Sequence, residues 1–206
     1  MIEGKSVILR AVEEADLANL ASWLNDPTIS HLVVGWSFPV SLAQQKQWFE
    51  RSLGNTRTQR FMVDTKQGET IGVTGLWDID WQSRHALTAV KLGTESVRGK
   101  GYGRDAIMTL MAYAFHDVGL NRLWTDILQF NRGSYRAYVE KCGWQVEGLL
   151  REQVYRDGQY YDLLRVAILK HEFDALPDAA DYRREAEADR VDVAPENWVC
   201  RDSAAE

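Results

Sequence analysis

Val97-Arg98-Gly99-Lys100-Gly101-Tyr102-Gly103-Arg104 is the stretch on which the fold turns. It follows a strand-like run, Ala86 to Leu92, and leads into Ile107, Leu110, Met111, Ala114 and Phe115, which recur at the spacing of one helical face. Free N–H groups and the helix dipole at such a junction favour an anion. Glycines at alternate positions permit φ > 0 and let a ligand approach the backbone without a Cβ in the way. The expected guest is a pyrophosphate, helped by the charges of Arg98, Lys100 and Arg104. A P-loop is excluded in this stretch because Gly101, not Ser or Thr, follows Gly99-Lys100. The dinucleotide fingerprint is excluded because its last glycine would come one place later. What is left is R-x-x-G-x-G.

Working outward, Ser6 to Arg10 alternates as a strand, and Leu17, Leu20, Ala21 and Leu24 share a helical stripe that Asn25-Asp26-Pro27 stops. A loop through His31, Gly35, Trp36 and Pro39 leads to Ser41-Leu42-Ala43-Gln44, a capping box opening a second helix that ends near Gly54. Phe61–Asp64 and Thr70–Ile79 read as a hairpin. After the glycine stretch come a helix, a strand at Arg122–Leu128, a short helix over Ser134–Cys142, and two strands joined at Asp157-Gly158, the preferred pair for a tight turn. This order argues a mixed α/β layer rather than a doubly wound sheet.

The 206 residues suit one large domain with an appendage, and 45% hydrophobic with 26% charged residues exclude a disordered or fibrous chain. Residues 177–206 hold four basic and nine acidic side chains, so this segment carries −5 of the net −6. A domain at 1–176 with an acidic tail at 177–206 is therefore expected, and neither nucleic acid nor membrane is an expected partner. The longest apolar run, Leu110 to Phe115, is far short of a membrane span, and the N-terminus reads as no signal peptide, so a cytoplasmic protein is expected. Cys142 and Cys200 have no metal-ligand spacing, so no metal is expected.

Arg98-x-x-Gly101-x-Gly103, then Asn131-Arg132-Gly133-Ser134, Tyr138 and Lys141-Cys142-Gly143-Trp144, in that order, resemble the acyl-CoA-binding half of the GNAT superfamily of N-acetyltransferases. Val146 to Glu152, Tyr155-Arg156-Asp157-Gly158, Asp162, Leu9-Arg10-Ala11 and Gly72 through Asp80 are similar to its ribosomal-protein N-terminal acetyltransferase (RimJ/RimL-like) branch. The resemblance covers about residues 5–175.

It implies an α+β fold with a twisted, mostly antiparallel sheet, splayed between the strands at 86–92 and 122–128, with helices on both faces. Acetyl-CoA as cosubstrate would lie in the splay. Its pyrophosphate would meet the amides of Arg98, Gly99, Lys100, Gly101, Tyr102, Gly103 and Arg104. Its pantetheine arm would run along Val90, Lys91 and Leu92, where a backbone N–H would polarise the thioester, and Asn131 would hold the arm from the other side. Ser134 and Tyr138 are the candidate donors to the departing sulfur, with Ser134 ranked slightly higher. Five residues separate Tyr138 from Gly143 where the family pattern has four, so an extra residue at Val139 or Glu140 would shift this helix. Leu87 replaces the branch's habitual Glu. The substitutes as base are Asp78, Asp80, His85, Asp126 and Glu152, none of which stands out by spacing, and Asp78 is carried as the candidate. His31, Trp36 and Trp77 are the expected acceptor-binding residues, and Trp81, Tyr160 and Tyr161 could extend the aromatic wall. The implied activity is acetyl transfer to a primary amine, either a protein α-amino group or a small molecule, by direct attack in a ternary complex. A homodimer is left open. A non-catalytic acyl-CoA-binding module is the alternative.

Overall fold

The computed structural model describes residues 1–35, 38–93, 97 and 99–183. Among these residues eight strands form one sheet: β1 (Ile2–Glu3), β2 (Val7–Ala11), β3 (Gln59–Thr65), β4 (Thr70–Asp80), β5 (His85–Leu92), β6 (Arg122–Leu128), β7 (Gln145–Arg156) and β8 (Gln159–Leu169), in the spatial order β1-β2-β3-β4-β5-β6-β8-β7. All neighbouring pairs are antiparallel except β5 and β6. Among the described residues six α-helices accompany them: α1 (Leu17–Asn25), α2 (Pro27–Ser30), α3 (Leu42–Ser52), α4 (Tyr102–Ala112), α5 (Arg132–Tyr135) and α6 (Lys170–Asp174).

Strand alternation sorts side chains onto two faces. Val63 and Ile71 pack with Ile107, Leu110 and Met111 of α4. Their neighbours Met62 and Val73 pack with Leu17, Leu20 and Trp23 of α1 on the opposite face, flanked by Trp48 and Phe49 of α3. The capping box expected at Ser41 and Gln44 is formed, and Asp157 (φ 49°) and Gly158 (φ 82°) make the expected tight turn. Pro27 does more than stop α1. Asp26 accepts the Thr28 amide at 2.7 Å, and Pro27 sits in the first turn of α2, where its missing N–H costs nothing.

Packing runs past Leu176. Ala179 and Tyr182 are buried in the main core, and the Tyr182 hydroxyl donates to Asp105 at 2.8 Å. Asp105, in the first turn of α4, also accepts from the amides of Lys5, Ser6 and Val7 and from the Ser6 hydroxyl. One carboxylate thus ties the chain's start, α4 and residue 182 together.

The feature that positions the site is a splay. β5 pairs with β6 only over His85–Arg122, Ala86–Leu123 and Leu87–Trp124. β6 stays paired with β8 along its whole length, while β5 remains on β4 to Leu92, so the two strands part after Leu87. Among the described residues no helix is long and apolar enough to cross a membrane.

Candidate active site

At the end of β5 the chain turns into α4 through the glycine stretch. Gly99 (φ 77°) and Gly101 (φ 90°) are both left-handed, and Gly101 caps the eleven-residue α4. A Cβ on either would meet nothing within 4 Å, so glycine is required there by conformation, not by space. Lys100 is exposed. The Arg104 guanidinium is turned away onto Asp178 and the Lys141 carbonyl, so it does not add its charge to the loop as the sequence suggests. Tyr102 packs its ring against the core, leaving its backbone to the helix start. Arg98 and Trp36 lie outside the described residues.

From the splay a cavity of about 330 Å³ extends to the face covered by α1 and α3. Ala89, Val90 and Lys91 of β5 and Thr125 to Leu128 of β6 form its splayed end, with Asn131, Ser134 and Tyr138 beside them. Leu20, Trp23, Gln45, Arg60, Val73 and Trp77 form the other end. Leu87 also faces it, so a carboxylate at that position would have pointed inside.

Tyr138 comes from the second sheet face. α5 passes into a π-turn at Arg136–Glu140, the register change that takes up the extra residue noted before Gly143. The turn buries Tyr138, whose hydroxyl accepts the Val90 amide at 2.9 Å across the splay. Burial raises its pKa, only partly offset by the Val90 bond, so the phenol stays protonated near neutrality. Asn131 caps α5: its Oδ1 accepts the Ser134 amide at 3.0 Å and its Nδ2 donates to the Leu32 carbonyl at 2.9 Å. Its side chain therefore ties the loop after α2 to α5.

That loop is also held from the far end of the sheet. Arg156, at the β7–β8 turn, donates to the carbonyls of Ser30, His31 and Val33. Leu32 to Gly35 wall the cavity, whereas His31 lies on the outside, stacked on Phe130 at 4.9 Å and 3.5 Å from Asp157. This arginine was quoted for the turn motif and not for what it holds; its partners lie more than a hundred residues away.

The candidate base Asp78 is not in the cavity wall. β4 bulges between Trp77 and Asp80, Asp78 takes φ 49°, and the extra residue turns its carboxylate to solvent while Trp77 stays inside. Asp80 is engaged by Ser83, and Glu152 is exposed. His85 lies where β5 begins, 3.8 Å from Asp80, and is not among the wall residues. Among the described residues the carboxylate in the wall is Asp126, paired with Arg165 at 2.6 and 2.9 Å. No cluster of three His, Cys, Asp or Glu able to hold a metal occurs among them.

Sequence reading also passed over Arg60 and Lys91 as side chains, though both face the cavity. Burial lowers the Arg60 pKa to about 10. Burial, with the charge of Arg60, lowers that of Lys91 to about 7.

The family model described as "Acetyltransferase (GNAT) domain" matches residues 6–145. An uncharacterised N-acetyltransferase derived from the SPbeta prophage of Bacillus subtilis is 26% identical over 172 residues, 83% of this chain and 94% of that protein. The spermidine N(1)-acetyltransferase of Vibrio cholerae is 26% identical over 165 residues, 80% of this chain and 94% of its own length. A crystal structure of the Vibrio cholerae spermidine N-acetyltransferase with CoA and spermine aligns with a TM-score of 0.76 at 26% identity, covering 81% of this chain and 97% of that one.

Proposed function

The chain belongs to the GNAT acetyltransferase family and is an N-acetyltransferase that draws its acetyl group from acetyl-CoA; from that premise we propose that donor and a small primary amine meet in the splay between β5 and β6. The observation that carries this reading is one continuous cavity, which begins at the parted strand edges and ends under α1 and α3. The residues present fit the coenzyme. A left-handed glycine turn opens the eleven-residue α4, and β5 runs on past the end of its pairing with β6.

Bound acetyl-CoA would supply a thioester, an acyl group already activated toward nitrogen. The amides of Gly99 to Arg104 would receive its phosphates at the start of α4. The edge of β5 at Val90, Lys91 and Leu92, beyond its pairing with β6, would run alongside its extended arm, as a strand runs beside a neighbour. Asn131 would act by position: both ends of its amide are engaged, so it fixes the Leu32 wall against α5.

Tyr138 would serve the departing sulfur. Its oxygen accepts from Val90 with a lone pair, which leaves the phenolic hydrogen to donate. Since burial raises the phenol's pKa, its contribution is a hydrogen bond to the sulfur rather than full proton release, an effect worth on the order of 10²-fold in rate. Ser134 stands in the same wall, but no hydrogen bond aims its hydroxyl at the strand edge, so we rank Tyr138 first. With Leu87 in place of a carboxylate, the amine's proton leaves to water. This is easier for an amine of pKa near 8, which is roughly a tenth neutral at pH 7.

The Vibrio cholerae relative brings a polyamine to this chain as one candidate acceptor, and the resemblance to the ribosomal-protein branch brings a protein α-amino group. The narrow, walled cavity suits a small molecule better than a protein terminus. A cytoplasmic site of action follows from the donor, and self-association through the outer strand β7, with Val146 and Leu149 exposed, belongs to the same reading. The test is thiol release from acetyl-CoA with a mixed amine panel. Turnover of a small amine supports the reading, and tight coenzyme binding without turnover of any amine overturns it.

A further inference from the structure

Two cations face the cavity, Lys91 from its splayed end and Arg60 from the other, and sheet register explains their meeting. Arg60 pairs with Gly75 and Gly75 with Ala89 in one row; Met62, Val73 and Lys91 form the next. Arg60 and Lys91 therefore point to the same face, the one under α1 and α3. Trp77 lies on the neighbouring row, and its indole reaches back over Gly75, where a Cβ would come 3.2 Å from Cη2. The Arg60 guanidinium carbon is 5.7 Å and the Lys91 nitrogen 5.8 Å from the centroid of that one ring. Trp48 of α3 stacks on Arg60 at 4.2 Å.

Folding alone does not favour this arrangement. Two like charges face one cavity; burial first, and the charge of Arg60 second, lowers Lys91 to about 7, and burial lowers Arg60 to about 10. Arg60 Nε is buried without a hydrogen-bond partner, a group that ordinarily costs stability unless something accepts from it. The carboxylate in the wall among the described residues, Asp126, is taken by Arg165. A polycation entering here would bring further positive charge beside Arg60 and Lys91.

We propose that the acceptor amine also carries an anionic group, a carboxylate or a phosphate ester, which Arg60 and Lys91 hold while the amino group faces the strand edge at Val90. The inference rests on the acetyltransferase reading above and narrows its substrate class. A guanidinium offers an oxyanion two parallel N–H groups, and the indole of Trp77 keeps both cations from drifting apart.

The test offers acetyl-CoA and matched amines to the purified protein: amino acids with their methyl esters, β-alanine with its amide, phosphoethanolamine with ethanolamine, and spermidine. Thiol release is read for each. The anionic member of at least one pair should show kcat/KM about 10- to 100-fold above its neutral partner, the worth of a charge-assisted bond. The carboxylate and phosphate arms tell the two anions apart. Arg60→Gln and Lys91→Gln should erase that ratio through a higher KM for the anionic member, and the charge-keeping Arg60→Lys and Lys91→Arg should retain part of it. Preference for spermidine or for the neutral members overturns this inference and leaves the acetyltransferase reading standing. An anionic preference that survives both Gln variants, folded by thermal unfolding, also overturns it. Coenzyme binding with no turnover of any amine overturns the underlying reading.

Discussion

The Tyr138 hydroxyl and the Val90 amide are joined at 2.9 Å across the gap where β5 and β6 part. The bond ties β5 to the π-turn Arg136–Glu140 beside the splay. It also occupies one amide of the edge at Val90, Lys91 and Leu92, along which the family resemblance expects a backbone N–H to polarise the acyl carbonyl.

Tyr138→Phe removes the hydroxyl while keeping the buried ring against Trp144. Its kcat should fall about 10²-fold, with acetyl-CoA affinity within about threefold of wild type. Ser134→Ala should change kcat by less than about fivefold on the same scale. Steady-state kinetics on both variants check this, and the reverse order would return the donor role to Ser134.

Gly101→Val places a β-branched residue at φ 90°. The strain, about 1–3 kcal/mol, falls on the loop that opens α4 and not on any packed neighbour. Calorimetry should show acetyl-CoA affinity reduced at least about tenfold while the thermal midpoint moves only a few degrees.

Gly93→Ala tests a different constraint. A Cβ there would come within 1.9 Å of the Trp23 ring, which walls the acceptor end of the cavity. The variant should lose about 1–3 kcal/mol of stability by overpacking and show a raised acceptor KM. Denaturant unfolding and kinetics measure the two separately.

Asp105→Ala leaves the amides of Lys5, Ser6 and Val7 and the Tyr182 hydroxyl without their acceptor. A loss of about 2–4 kcal/mol is expected at pH 7. Burial would raise this carboxyl's pKa, but the bonds from Ser6, Tyr182 and Lys5 hold it below its ordinary 3.8. The unfolded state therefore binds the proton first on acidification. The contribution is complete above about pH 3.8 and fades as pH falls through the lower folded value. Urea midpoints measured from pH 7 downward should converge for wild type and variant.

Lys91→Met should raise the thermal midpoint at pH 7 by a few degrees while harming acceptor binding. The folded pKa of about 7 lies below the ordinary 10.5, so folding releases a proton between these values and wild-type stability climbs with pH across them. The variant's advantage should shrink accordingly toward pH 10.5. Scanning calorimetry at three pH values checks the slope.

What could be read from sequence followed local chemistry. The Ser41–Gln44 box, the Asp157-Gly158 turn and the Gly101 cap each depend on residues a few positions apart, and each formed. The splay was legible only because the order of motifs resembled a family. Asp78 follows Trp77, so with Trp77 facing the cavity strand alternation turns Asp78 away from it, and the bulge before Asp80 leaves it in solvent. Arg60 was missed because its environment comes from three strands and α3, and its own neighbours suggest an exposed strand residue. Arg156 reaches carbonyls at Ser30 and Val33 that no local pattern connects to it.

The central claim is that the parted edges of β5 and β6 receive acetyl-CoA. Isothermal calorimetry of the wild-type protein with acetyl-CoA should give one site per chain with a micromolar Kd, and Gly101→Val should weaken it. No heat and no retention of labelled acetyl-CoA at millimolar coenzyme would contradict the account.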